Sequence, residues 1–158
     1  METYKLFRIK GGKLFPLYVE AKRELPIGVW LNAGIGEMAD DTHVKASGCG
    51  GKLSLRPGFH STTVPFTDWI GKRVGGKLVQ RKDTVWCRCV VRGKEHIVTN
   101  RNGSRELLDG WYRFRTNAKQ KDPWIISNEI MILEILTRDQ VCVECRKHGV
   151  EPQEIELT

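Results

Sequence analysis

The chain has 158 residues, of which 40% are hydrophobic and 28% are charged, and a formal net charge of +7. This length suits one domain with a single core. No apolar run approaches the roughly 18 residues that a membrane-spanning helix needs, and the N-terminus, METYKLFRIK, lacks the apolar core of a secretory signal. We therefore expect a cytoplasmic protein. Its five cysteines, an odd number, do not indicate a disulfide framework.

The basic balance of the chain bears on its partners. A domain with an isoelectric point of about 9.3 attracts phosphate groups and acidic surfaces. Nucleic acid, a nucleotide and an acidic host protein are therefore the candidate partners. The alternative is that the positive charge only keeps a small domain soluble.

The first predicted element is a β-hairpin over residues 4–19. Its two alternating runs flank Gly11-Gly12, a pair that can take positive φ in a tight turn. Pro16 removes one donor from the ladder, so the second strand is expected at a sheet edge. The glycine-rich residues 32–52 are predicted to form a flexible surface loop, which could serve as a lid.

The middle of the chain predicts three more strands. Residues 84–92, TVWCRCVVR, are rich in β-branched and aromatic side chains, and residues 111–116 alternate again. Residues 124–136 form either one bent strand or two strands that meet near Ser127-Asn128. Residues 67–70 are interpreted as one helical turn, and the stretches GKRVGGK and 93–110 as loops.

The C-terminal region predicts the main helix. Thr137, followed three residues later by Gln140, forms a capping-box pattern that opens a helix over residues 137–148, and Gly149 suits its C-terminal end. Residues 150–158 form an acidic tail. The predicted fold is a single α+β domain over residues 1–158, with an antiparallel or mixed sheet, few short helices and long loops.

Two cysteine pairs raise the question of a metal site. Cys87 and Cys89 lie on one strand, and Cys142 and Cys145 lie on the predicted helix. Four thiolates could bind zinc if the helix packed on that strand. Burial of all four as small hydrophobic residues is the simpler interpretation, so we predict no metal site.

The stretch LSLRPGFHSTTVPF predicts a sharply turned polar site. Arg56 could bind a phosphate with its forked guanidinium, and His60 could hydrogen-bond a sugar hydroxyl, with Ser61 and Thr62 beside it. The equally simple alternative is that Arg56 pairs with an acid and His60 ends a strand.

Glu129 interrupts the apolar run IISNEIMIL. A carboxylate in such a run must reach solvent, pair with a cation or shift its pKa. It is either a cleft carboxylate or the solvent-facing position of an alternating strand.

Several motifs resemble an uncharacterised domain carried by bacteriophages and mobile elements of gut bacteria. They are YKLFRIKGGKLFPLYV, LPIGVW, RPGFH, TVWCRCVV, WYRFRTN and PWIIS, with Phe59 where that domain has tryptophan. The resemblance covers nearly the whole chain. It implies a mobile-element origin and a place in the cytoplasm of a bacterial host cell, and it implies no particular reaction.

The order of three shorter motifs resembles PARP-like ADP-ribosyltransferases. These motifs are FHST at 59–62, the strand WCRCVVRG at 86–93 and NEIMIL at 128–133. The resemblance implies that His60 would bind the nicotinamide ribose of NAD and that Glu129 would stabilise the oxocarbenium-like transition state. Tyr112 would stack on nicotinamide. Ser61 stands where that family has glycine.

Two functional hypotheses follow. The first is a phage or mobile-element accessory domain that binds NAD or a related nucleotide in an ADP-ribosyltransferase-like cleft, with catalysis left open. The second is a non-enzymatic basic module that binds nucleic acid or a host protein.

Overall fold

The computed structural model describes residues 1–17, 22–33, 57–99 and 103–157, together with the backbone of residues 43–45 and 52–54. This part of the chain is mainly β-sheet with one α-helix, α1 (Arg138–Lys147), so the predicted α+β class is confirmed with the sheet dominant. The strands in chain order are β1 (Glu2–Lys10), β2 (Lys13–Phe15), β3 (Trp30–Asn32), β4 (His43–Lys45), β5 (Lys52–Ser54), β6 (Phe59–Thr62), β7 (Lys72–Val74), β8 (Lys77–Val79), β9 (Thr84–Val91), β10 (Glu95–His96), β11 (Trp111–Phe114), β12 (Trp124–Ser127) and β13 (Glu129–Ile135).

The N-terminal hairpin forms as predicted but is shorter. Gly11 and Gly12 turn with φ of 59° and 75°, and β2 then pairs antiparallel with β1. β2 ends at Phe15, directly before Pro16, because proline has no N–H to donate to the ladder. The rest of the predicted second strand reaches into residues 18–19, which lie outside the described residues.

Three stretches predicted to be loops contain short strands. GKRVGGK contains β7 and the first residue of β8, which pair as a hairpin, and the predicted loop 32–52 includes β4, which pairs with β5. The predicted loop 93–110 includes β10, which runs parallel to β11 and makes the main sheet mixed. Residues 67–70 form bends rather than a helical turn. Short strands such as these depend on partners that are distant in sequence, so local alternation does not reveal them.

The main sheet has the strand order β10-β11-β12-β6-β1-β9-β13-β3. Residues 124–136 form two strands, since only Asn128 separates β12 from β13, yet β6, β1 and β9 lie between them in the sheet. Strands lie about 4.8 Å apart, so four steps across a flat sheet would span about 19 Å, which a one-residue link cannot bridge. The sheet therefore curls until β13 meets β12, forming a barrel-like wall.

The packing agrees with this closure. Side chains from the strands of the wall meet in one buried cluster that forms its interior. Its members include Phe7, Phe59, Cys87, Cys89, Ile125, Ile130 and Ile132. By strand alternation, the neighbouring residues point outward from the wall.

The helix α1 covers part of the outer surface. Val141 and Cys145 pack there against Tyr4, Leu6 and Trp86 of the wall. The helix begins with the predicted capping box, in which the Thr137 hydroxyl accepts from the Gln140 N–H and the Gln140 side chain accepts from the Thr137 N–H.

Candidate functional site

His60 is the predicted site residue whose ring lies half-buried on the outside of the wall. On β6 it pairs with Ile126 of β12, and its ring lies edge-on to that of Trp124 with centroids 6.1 Å apart. Its Nδ1 lies 3.2 Å from the carbonyl of Gly58, and its own carbonyl accepts from Lys5 Nζ at 2.8 Å. The imidazole therefore contacts both a neighbouring ring and a backbone carbonyl of its own chain segment.

The hydroxyl groups beside His60 are buried and face backbone carbonyls. Ser61 Oγ donates to the carbonyl of Ile125 at 3.4 Å, inside the wall. Thr62 Oγ1 donates to the carbonyl of Val64 at 2.5 Å and lies 3.2 Å from the carbonyl of Tyr4. Buried polar groups are usually hydrogen-bonded within the protein, so these two hydroxyls have a structural role.

Two other predicted residues are placed differently. Tyr112 is only 2% exposed, and its hydroxyl accepts from the N–H of Ser104 at 3.2 Å. Its ring packs with Trp124 and Ile126 in a buried outer cluster. Arg56, the predicted phosphate ligand, lies outside the described residues.

Glu129 is engaged in a forked ion pair. Its two carboxylate oxygens accept from Arg92 Nε at 2.7 Å and from Arg92 Nη2 at 2.9 Å. The Arg92 guanidinium also lies 4.0 Å from the ring centroid of Trp30. These hydrogen bonds hold the pKa of the Glu129 carboxyl below its usual range. Glu129 is thus an ionised, partly exposed carboxylate on the outer face of β13, paired with Arg92.

The pairing of the strands relates His60 to Glu129. Ile126 of β12 lies opposite His60, and Glu129 follows three residues later as the first residue of β13. Both side chains are on the outside of the wall, but the Glu129 carboxylate is turned to Arg92 on β9. Ser61, Thr62 and Tyr112 are buried. The described residues therefore do not form a cleft lined by all of the predicted site residues.

The cysteine pairs lie on opposite sides of the sheet. Cys87 and Cys89 belong to the interior cluster, whereas Cys145 packs on the outer surface beneath α1. The four sulfurs therefore cannot share one zinc ion, and the four-thiolate hypothesis is wrong. Burial raises the pKa of the Cys89 thiol to about 12 and that of Cys145 to about 11, so both are protonated at neutral pH.

The structure reveals a basic surface that the sequence analysis missed. The turn between β11 and β12 meets the C-terminal end of α1, where Lys121 Nζ donates to the carbonyl of His148 at 2.9 Å. We call this surface the basic turn patch, and its exposed cations are Arg115, Lys119, Lys121, Arg146 and Lys147. The signal in the sequence was two short basic stretches, the first ending at Lys121 and the second beginning at Arg146, whose proximity only the fold establishes.

The turn in this patch is ordered by its own hydrogen bonds. Arg115 Nε donates to the carbonyl of Gln120 at 3.0 Å, and the Gln120 side chain accepts from the N–H of Thr116 at 2.7 Å. Glu144 forms an ion pair with Lys147 at 3.2 Å, which offsets one of the five charges. The patch therefore presents a net positive charge on a fixed backbone.

Within the described residues, the helix is too short and too polar to cross a membrane. Comparison of the chain with known protein families, with curated proteins and with solved structures yields no match in any of the three.

Proposed function

We propose that this domain is a non-enzymatic basic module, an accessory protein of a phage or mobile element, that binds nucleic acid through the basic turn patch. The observation that carries the proposal is the contact of Lys121 with the end of α1, since it joins two basic segments into one surface. Five exposed cations outnumber two carboxylates, Glu144 and Asp122 of the same turn, and this excess is the electrostatic footprint of a phosphate-binding surface.

The chemistry of the patch suits a phosphate backbone. Lysine carries three donors, so Lys121 can hold the His148 carbonyl and still offer N–H groups to a phosphate oxygen. The hydrogen bond from Arg115 to the Gln120 carbonyl orients the guanidinium. Binding of a phosphate therefore costs less side-chain conformational entropy at Arg115. Contacts of this kind position a strand without reading its sequence.

The test is the salt dependence of binding to labelled single- and double-stranded oligonucleotides, followed by fluorescence anisotropy. We expect the logarithm of the binding constant to fall linearly with the logarithm of salt concentration, with a slope of about 0.7 to 0.9 per phosphate contacted. The double variant Lys119→Gln/Lys121→Gln should weaken binding and reduce the slope by up to about 2.

The matched control removes the same charge elsewhere. Lys10 and Lys22 are exposed. Tyr4 of β1 pairs with Thr62, which in turn pairs with Trp124 at the patch. Lys10 lies six residues further along β1 and is therefore distant from the patch. Lys10→Gln/Lys22→Gln should therefore leave the slope nearly unchanged. Equal losses in the two double variants, or no binding at low salt, would overturn the proposal.

A nucleotide site at His60 is the second candidate. It is supported by the half-buried imidazole of β6, which contacts the Trp124 ring and the Gly58 carbonyl. NAD at millimolar concentration should then raise the melting temperature, and His60→Ala should abolish the rise. A rise that persists in His60→Ala, or no rise in the wild type, contradicts this hypothesis.

A further inference from the structure

A second basic surface lies on the hairpin β7–β8 and the residues that follow it. We call it the basic hairpin. Its cations are Lys72, Arg73, Lys77, Arg81 and Lys82. Unlike the basic turn patch, it is occupied by the C-terminal tail of the chain itself.

The tail docks on this hairpin as an added strand. Gln80, directly after β8, donates its N–H to the carbonyl of Glu154 at 2.8 Å and accepts from the N–H of Glu156 at 2.7 Å. These bonds form a parallel bridge between Gln80 and Ile155. The backbone of the hairpin edge thus binds an extended peptide, which is the recognition mode called strand addition.

The acidic side chains of the tail complement the hairpin. Glu156 accepts from Lys72 Nζ at 2.9 Å and from the N–H of Lys82 at 3.1 Å. Glu154 lies 3.8 Å from Lys77 Nζ. Because alternate residues of a strand share a side, a Glu-x-Glu segment presents both carboxylates to the cations together.

Little apolar surface holds the tail in place. Ile155 is 39% exposed and Leu157 is 90% exposed. The buried anchor is the residue before the acidic pair: Gln153 Nε2 donates to the carbonyl of Thr67 at 2.8 Å. The segment after Gln153 is therefore held mainly by hydrogen bonds and two ion pairs. The pair of Glu154 with Lys77 is exposed, whereas the Glu156 side chain that pairs with Lys72 is only 13% exposed. Contacts of this kind are individually weak and can be exchanged.

We propose that the edge of the basic hairpin at Gln80 is a docking site for an acidic, extended Glu-x-Glu segment of a partner protein, with the tail as its intramolecular occupant. A peptide fits better than nucleic acid, because the Gln80 N–H and carbonyl are paired as in a β-ladder. The tethered tail competes at an effective concentration of the order of millimolar, so it sets the affinity that a partner must exceed.

The test uses the tail as its own probe. A fluorescent peptide with the sequence of residues 151–158, EPQEIELT, is titrated with a variant that ends at Gln153 and so keeps the buried anchor. We expect salt-sensitive binding to this variant and binding at least about tenfold weaker to the full chain, whose own tail competes. A peptide with glutamine in place of both Glu154 and Glu156 should bind neither protein.

Two variants keep the proposal testable if the truncation fails to fold. The full chain with Glu154→Gln/Glu156→Gln retains every backbone contact and should bind the wild-type peptide more tightly than the wild-type chain does. Lys72→Glu/Lys77→Glu in that background should remove the gain. If the tail variants that fold, whether truncated or substituted, bind no peptide, the proposal fails. It fails equally if they bind oligonucleotides and not the peptide, since the hairpin would then be a phosphate site.

Discussion

Substitution of Gly110 by alanine should be among the most damaging single-methyl changes in this domain. Gly110 precedes β11 and has a φ of 113°, a backbone conformation that side chains with a Cβ rarely adopt. An added Cβ would lie 2.2 Å from the carbonyl oxygen of Lys94. That oxygen accepts from the N–H of Trp111 at 3.0 Å, so it cannot move away without loss of a hydrogen bond.

The expected cost follows from three contributions. The left-handed backbone costs a residue with a Cβ about 1–2 kcal/mol. Relief of the overlap with Lys94 should cost about 1–3 kcal/mol, as for other overpacked sites. Loss of the bond between Trp111 and Lys94 adds about 1 kcal/mol. The total of about 3–6 kcal/mol is a large part of the 5–15 kcal/mol that holds a typical domain folded.

Gly12→Ala provides the matched control. Gly12 also has a positive φ, 75°, but an added Cβ would meet nothing within 4 Å. It should therefore cost only the backbone contribution, about 1–2 kcal/mol. Urea unfolding followed by tryptophan fluorescence measures both variants. If Gly110→Ala proves no more destabilising than Gly12→Ala, Gly110 does not lie as close to the Lys94 carbonyl as described above.

Three further outcomes are expected. The lowered pKa of Glu129 means that its pairing with Arg92 stabilises the fold above the ordinary carboxyl pKa and is lost as the pH falls through the lowered value. The unfolding free energy of the wild type should therefore drop more between pH 6 and pH 3 than that of Glu129→Gln, and equal drops would contradict the pairing. Cys87 and Cys89 should resist thiol reagents until the protein unfolds, and a chelator should leave the melting temperature unchanged, because the cysteine pairs lie on opposite faces; a fall in melting temperature with chelator would refute this placement. Tyr112→Phe should cost about 1 kcal/mol in a urea titration, since the Ser104 N–H loses its acceptor, and a neutral effect would show that water replaces the hydroxyl.

Local patterns sufficed where neighbouring residues decide the conformation. The Gly11-Gly12 turn, the alternation of β9 and the capping box from Thr137 to Gln140 each involve contacts within a few residues, and each is present in the structure. The sequence alone therefore determined the fold class, the N-terminal hairpin and the C-terminal helix.

The tertiary structure decided every feature that depends on strand order. It placed Glu129 beside Arg92, separated the two cysteine pairs and closed the sheet between β12 and β13. It also brought Lys121 to the end of α1 and the tail to Gln80. The alternation of a strand's sequence indicates its two faces. It does not indicate which strand pairs with it, because that partner lies far along the chain.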